Sequence, residues 1–320
     1  MTFAVAPGAT GTCSLAGGTL SADAAYIGRE GTGTFVQSGG SCTFRGDLEL
    51  ASFAGSVGTY ELTGAASLET NTLCVGEEGK GTFKQADGQN TVDGTVHIGS
   101  QDGASGAYEL NGGDLFAHDD VIVGEQGTGT FTQTGGTNTV RYGVHLGDES
   151  EATGAYNLHA GALSATGVTV GWAGSGTFTQ TGGVNATSSA IYIASLPGSS
   201  GLYTLNGGET TTDMICVGRH GNGSFVHNGG TSTIHDVLYV GWEATGVGRY
   251  ELSGTGQLSA DRESIGDLGA GTFTQSGGVN LTSCLEVGPT SRYDLTGGTL
   301  TVTEETLLAG TLDFGDGSAS

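Results

Sequence analysis

Apolar and polar residues alternate with period two in short runs along the whole chain, and no stretch sustains a helical period. Three kinds of run recur in fixed order. The first reads Gly-Thr-Phe-Thr-Gln, as at 129–133, or Tyr-Glu-Leu, as at 108–110, and closes on glycine. The second reads Thr-Asn-Thr-Val (137–140) or Thr-Leu-Ser-Ala (19–22). The third reads Val-His-Leu-Gly (144–147) or Val-Ile-Val-Gly (121–124). Runs this short, rich in Thr, Val, Tyr, Phe and Ile and bounded by glycine, predict three short strands joined by turns.

The runs themselves repeat. Gly-Thr-Phe-Thr-Gln-Thr-Gly-Gly occupies 129–136 and 176–183, and a copy with Ser occupies 271–278; weaker copies start at Gly33, Gly81 and Gly223. A tyrosine phrase alternates with it at 59–64, 107–113, 202–208 and 249–254. The aromatic anchors are Phe35, Tyr60, Phe83, Tyr108, Phe131, Tyr156, Phe178, Tyr203, Phe225, Tyr250, Phe273 and Tyr293. Their spacing alternates between 25 and 22–23 and ends at 20, with Cys13 and Leu312 where an anchor would precede and follow the series. Fixed-period self-similarity is the signature of a solenoid. The expected fold is all-β, a single-stranded parallel β-helix of about 13–14 coils of 22–25 residues, three short strands per coil, right-handed by the usual chirality of crossovers. A β-propeller is the rival, because the Phe/Tyr double repeat approaches the length of a blade; the division of each double repeat into two similar halves favours the solenoid. One domain is expected over 1–320, with an N-terminal edge strand in 1–10, repeats in 11–314 and a flexible tail in 315–320.

Alternation assigns facing. Phe131 and Gln133 share a face, as do Tyr108 and Leu110. Beyond the glycine corner the inward residue is Asn in Phe coils and usually Leu in Tyr coils (Leu20, Leu68, Leu115, Leu163, Leu258, Leu300). The third run points pairs such as Val96/Ile98, Val144/Leu146, Ile191/Ile193 and Leu238/Val240 inward. Alternate coils therefore bury two amides: Gln85/Asn90, Gln133/Asn138, Gln180/Asn185 and Gln275/Asn280. A buried amide without partners costs roughly 1–3 kcal/mol, so each pair is expected to bond to itself or to turn amides across its corner. The pair becomes His227/Ser232 in one coil and Gln37/Cys42 in the first. The tyrosine hydroxyls, such as that of Tyr108, are expected to reach solvent at the corner rather than a glutamine in a neighbouring coil. The N-x-T sequons at Asn185 and Asn280 fall on inward positions, where a glycan has no room.

Composition and charge narrow the partners. Gly is 63 of 320 residues without a G-X-Y period, which excludes collagen, and Pro is only 3. Lys+Arg is 9 against Asp+Glu 33, a net charge of −24. Such a surface repels nucleic acid and anionic lipid. No apolar run of membrane-spanning length occurs, and Met1–Thr10 lacks the pattern of a signal peptide. Five cysteines at irregular positions make no framework; Cys74 and Cys216 are expected to face outward, too far apart to pair.

Candidate chemistry is sparse. The glycine-rich phrases precede no helix, which argues against phosphate binding. His97 and His145 are expected two coils apart, roughly 10 Å, too far to share a metal. His118-Asp119-Asp120 reads as a solvated corner. The acidic surface admits loosely bound calcium, but the carboxylates form no repeating ladder. No catalytic, cofactor-binding or metal residues are assigned. Polysaccharide-cleaving β-helices need carboxylates and basic residues converging between long loops, whereas these loops are short and periodic. The T-x-T rows (Thr137/Thr139, Thr231/Thr233) suggest ice binding but break at Ala186 and Leu281.

The alternating G-T-F-T-Q-[ST]-G-G and Y-x-L-x-G-G phrases, with x-V-G closing the coil, resemble repeats of large secreted or surface-attached bacterial β-solenoid proteins, autotransporter-passenger-like ones among them. The resemblance covers about residues 11–314. It implies an extracellular or cell-surface, non-catalytic role: a structural solenoid that assembles, or an adhesive one, with surface polysaccharide as a further partner. The strand-like start at Phe3 and Val5 and the finish at Leu312 and Phe314 suggest end-to-end assembly of copies.

Overall fold

The segment Thr128–Gln133 forms a strand of alternating burial, with Gly129, Phe131 and Gln133 inside and Thr128, Thr130 and Thr132 outside. Its neighbours carry the same pattern. Tyr108 and Tyr156 lie in register with Phe131 on either side, and Leu110 and Leu158 lie in register with Gln133. Both pairings are parallel, as are those of the second and third runs: Asn138 with Leu115 and Leu163, Val144 with Val121. Each coil thus places its side chains directly over those of the coil before.

The computed structural model describes residues 1–315. Within them the chain is all β with no helix, and its stacked coils form a parallel β-solenoid of about 14 turns. The tail expected at 315–320 lies, apart from Gly315, outside the described residues. The chain divides into two compact units, Met1–Ala165 and a second beginning at Thr166. The first contains six first-run strands in register from Thr10–Leu15 to Thr128–Gln133, and a seventh at Thr153–Leu158. The second runs from Ser175–Gln180 to the strand Arg292–Leu308.

Three runs per coil are present, but they are not always three strands. In Ser41–Leu50, Val184–Ile193 and Thr231–Val240 the second and third runs form one continuous strand. Ala270–Val287 carries all three. The reason lies in the corners. No glycine pair separates the second run from the third, so the chain turns there by register shifts, as between Ala186 and Ala190, without leaving the sheet.

The alternation of 25 and 22–23 residues has its origin in the turn between third and first runs. Before a Tyr run the turn holds five residues, Ser100 to Ala104; before a Phe run it holds three, Glu125 to Gly127. Not all glycines sit at turns, as the sequence suggested. One column lies inside the strands, facing the core: Gly106, Gly129 and Gly154 in the first unit, Gly201, Gly223 and Gly248 in the second. A Cβ on Gly129 would lie 2.2 Å from Gly124 N and 2.3 Å from Ile98 O. Backbone packs on backbone at this corner, and only glycine fits.

The core has two parts. Aliphatic pairs of the third run, Val96/Ile98, Val144/Leu146, Ile191/Ile193 and Leu238/Val240, are fully buried. Beside them stand the aromatic columns. In the first unit Phe35, Tyr60, Phe83, Tyr108, Phe131 and Tyr156 stack at centroid distances of 4.6–5.0 Å. In the second Phe178, Tyr203, Phe225, Tyr250, Phe273 and Tyr293 stack at 4.4–4.7 Å. The spacing is that of parallel strands, so each ring meets the next at van der Waals contact.

Candidate functional site: the hydroxyl–amide spine and the outer faces

The buried amides do not bond to each other. Gln133 and Asn138 both reach the hydroxyl of Tyr156 in the following coil. Tyr156 Oη donates to Gln133 Oε1 at 2.6 Å, and Asn138 Nδ2 donates to Tyr156 Oη at 3.1 Å. Gln133 Nε2 then donates to two carbonyls, Gly136 O at its own corner (3.1 Å) and Ala162 O in the next coil (3.0 Å). Gln85, Asn90 and Tyr108 repeat the arrangement, as do Gln180, Asn185 and Tyr203, and Gln275, Asn280 and Tyr293. The expectation that tyrosine hydroxyls reach solvent is thereby corrected. A phenol reaches beyond its own ring by one oxygen, and the adjoining Phe coil supplies an acceptor and a donor at that distance. Burial pushes the phenols of Tyr108 and Tyr203 far above their ordinary pKa, so each remains a proton donor at ordinary pH.

The variant coils keep the logic. Gln37 holds Tyr60 Oη at 2.5 Å and donates to Gly40 O and Ser67 O, with buried Cys42 in place of asparagine. His227 substitutes for glutamine. Its Nε2 lies 3.2 Å from Gly230 O and must donate there, so in the neutral ring Nδ1 accepts from Tyr250 Oη at 2.9 Å. Burial lowers the imidazole pKa to about 4. Sequence reasoning missed Thr210, which replaces leucine in the Tyr203 coil and hydrogen-bonds both Tyr203 Oη (3.0 Å) and Gln180 Oε1 (2.8 Å). It also missed Glu263, fully buried between the aliphatic residues Leu238 and Leu285 of the neighbouring coils. Glu263 Oε2 accepts from Asn280 Nδ2 at 3.1 Å, and burial raises its carboxyl pKa to about 8. Aligning the third runs in columns would have exposed it as an acid between aliphatics.

The outward face of the third run differs between the units. In the first it carries His97 and His145, two coils apart across Ile122. They pair separately with acids, His97 Nδ1 with Glu125 Oε2 at 2.8 Å and His145 Nε2 with Asp120 Oδ1 at 3.6 Å. The His145 contact and the Gly143 amide hold Asp120 below the usual carboxylate range. His118 pairs with Asp93, not with Asp119 or Asp120. In the second unit the same face is aromatic. The Arg219 guanidinium lies over Tyr192 (5.3 Å) and Trp242 (5.4 Å), and Trp242 stacks on Tyr239 at 4.8 Å. Cys216, expected to face solvent, stands between Tyr192 and Tyr239 and is fully buried, its thiol pKa pushed up to about 12. All five cysteines are free. Asn185 and Asn280 of the two sequons are buried. A surface notch of about 540 Å³ lies between Pro7-Gly8 and Phe53, where longer turns project from alternate coils. Among the described residues no three His, Cys, Asp or Glu side chains gather as a metal cluster.

Comparison with family models, with curated proteins and with solved structures finds no match.

Proposed function

We propose that the chain is a non-catalytic structural β-solenoid of the cell exterior, a subunit that joins others of its kind end to end, coil upon coil. The observation that supports this reading is the repetition of one inward register. Glycine, an aromatic ring, and glutamine, histidine or leucine fill the same three sites of the first run through successive coils of each unit. Binding energy is invested in coil-to-coil contact, and a coil of another copy presents the same pattern to be stacked on. Phe3 approaches Phe35 at 6.2 Å, and Leu312 lies in register with Tyr293. Val5 and Phe314, 56% and 43% exposed, are apolar groups that such an addition covers. Phe3→Asp and Phe314→Asp are expected to shorten the assemblies seen by electron microscopy. A parent protein that stays monomeric by light scattering at high concentration refutes the reading.

An adhesive role is the second reading, and one observation favours it: the aromatic patch of Tyr192, Tyr239 and Trp242 around Arg219 is suited to stacking on sugar rings of a surface polysaccharide. Its test is retention on immobilised polysaccharide, which Trp242→Ala should reduce.

A further inference from the structure

The acidic charge is unevenly placed. In the unit Met1–Ala165, five basic and nineteen acidic residues give a net −14. The outward positions of its first-run strands carry only Glu61, Lys80, Lys84 and Glu109, which sum to zero. The rest of that face is short and uncharged, chiefly threonine: Thr34, Thr59, Thr82 and Thr130 align in one outward column, with Ala107 between the last two. The second unit is similar. On its first-run face Arg249 pairs with Glu251, and Arg292 with Asp294 and with Asp313 of the following strand, so the five charges sum to −1. The other faces and turns hold the excess of acid.

We propose that this nearly neutral, threonine-lined first-run face is where a second copy of the chain docks side by side. An approach through the acid-rich turns brings like charge together, which costs affinity and on-rate; this face carries little such penalty. Its charges are also self-complementary. Glu61, Lys84 and Glu109 occupy the same outward position in three successive coils. An antiparallel two-fold that sets Glu61 opposite Lys84 of the second copy sets Lys84 opposite its Glu61, the requirement for an isologous contact. Small side chains on regular strands let two such sheets approach to about 10 Å. Seven strands of six residues, at about 4.8 Å by 17–20 Å, offer about 600 Å² per partner. The resulting total of about 1,200 Å² reaches the lower bound of a specific interface from one unit alone. This contact is separate from end-to-end joining and stands whether or not the ends join.

The experiment is sedimentation velocity on the full chain and on two double variants, with electron microscopy of the same samples. Thr82→Glu with Thr130→Glu places four like charges at the proposed contact and is expected to weaken side-by-side association about a hundredfold. Thr91→Glu with Thr139→Glu adds the same charge to the second-run face and is expected to leave association unchanged. All three proteins should melt alike, since these positions are outward. Lateral pairing doubles particle width, whereas end-to-end joining changes length and responds to Phe3 and Phe314, so the two fail independently. The proposal is overturned by a parent that shows no doubled width. It is equally overturned by double variants that lose association to the same extent, or by a monomeric parent whose first-run face captures a neutral polysaccharide instead.

Discussion

Tyr156 Oη donates a 2.6 Å hydrogen bond to Gln133 Oε1 across one coil, and both side chains are fully buried. The Phe/Tyr alternation follows from this bond. From Tyr60 to Tyr293 each tyrosine stacks on a coil that holds a buried glutamine, or His227 in one instance, and points its hydroxyl back at it. A phenylalanine always follows a coil whose equivalent positions are leucine, or threonine in one instance, where a hydroxyl is not needed.

Tyr108→Phe is therefore expected to destabilise the protein by about 1–3 kcal/mol, because Gln85 Oε1 and Asn90 Nδ2 lose their shared partner in a dry interior. Phe131→Tyr, the reverse exchange, should cost a similar amount: its hydroxyl would be directed at the coil of Leu110 and Leu115, which offers no polar side chain at those positions. Denaturant unfolding of both variants checks the pair. A Tyr108→Phe protein as stable as the parent would mean that the spine contributes nothing.

Much of this was legible in the sequence, and the limit has a physical cause. Period-two alternation fixes which side chains point inward, so the buried status of Gln133, Asn138 and Phe131 can be read directly. What joins them cannot, because hydrogen bonds here run between coils. The reach of a phenol from the Tyr156 coil to the Phe131 coil depends on the lateral offset of stacked strands, which spacing along the chain does not encode. The same holds for Cys216. Its outward position was correct, but its burial depends on Tyr192 and Tyr239 from the coils on either side.

His227 makes stability sensitive to acid. In the folded chain its ring stays neutral down to about pH 4, whereas in the unfolded chain it takes up a proton near pH 6.5. Between these values the unfolded state binds more protons, so stability is full above pH 6.5 and falls as pH drops toward 4, by up to about 3 kcal/mol. His227→Gln restores the glutamine of the other Phe coils and should remove this part of the acid sensitivity. Melting temperatures of parent and variant between pH 7 and pH 4 give the comparison. Parallel curves would show that the ring is not held neutral.

Glu263 acts at the other end of the scale. Its carboxyl titrates near pH 8 when folded and near 4.5 when unfolded, so the folded state holds the extra proton over that interval. Stability therefore falls as pH rises from 4.5 to 8, and above pH 8 the full cost of a buried carboxylate is present. Glu263→Leu matches Leu238 and Leu285 in the neighbouring coils and should stabilise the protein, most strongly at pH 9. The same variant should lose little at pH 5, where the parent carboxyl is neutral and accepts from Asn280. A variant less stable than the parent at pH 9 would show that Glu263 is fully compensated in its charged form.

The glycines supply the last test, because the same residue serves two different needs. Gly129→Ala should be severely destabilising. Its Cβ would stand 2.2–2.3 Å from Gly124 N and Ile98 O, both backbone atoms of paired strands that cannot move without opening the sheet. Gly17→Ala should be nearly neutral: it has no atom within 4 Å of the added carbon and no positive φ. Ala194 inverts the argument. It occupies the site that closes the third run, where most coils have glycine, and it holds φ at 60°. That left-handed conformation costs an L-residue about 1–2 kcal/mol, more than the roughly 0.5–1 kcal/mol that glycine loses in chain entropy on folding. Ala194→Gly should then raise stability by up to about 1 kcal/mol, and Ala51→Gly, at φ 62°, should do the same. Thermal melts of the four single variants rank the effects. An Ala194→Gly protein less stable than the parent would mean that contacts of the buried methyl outweigh the strain of its backbone.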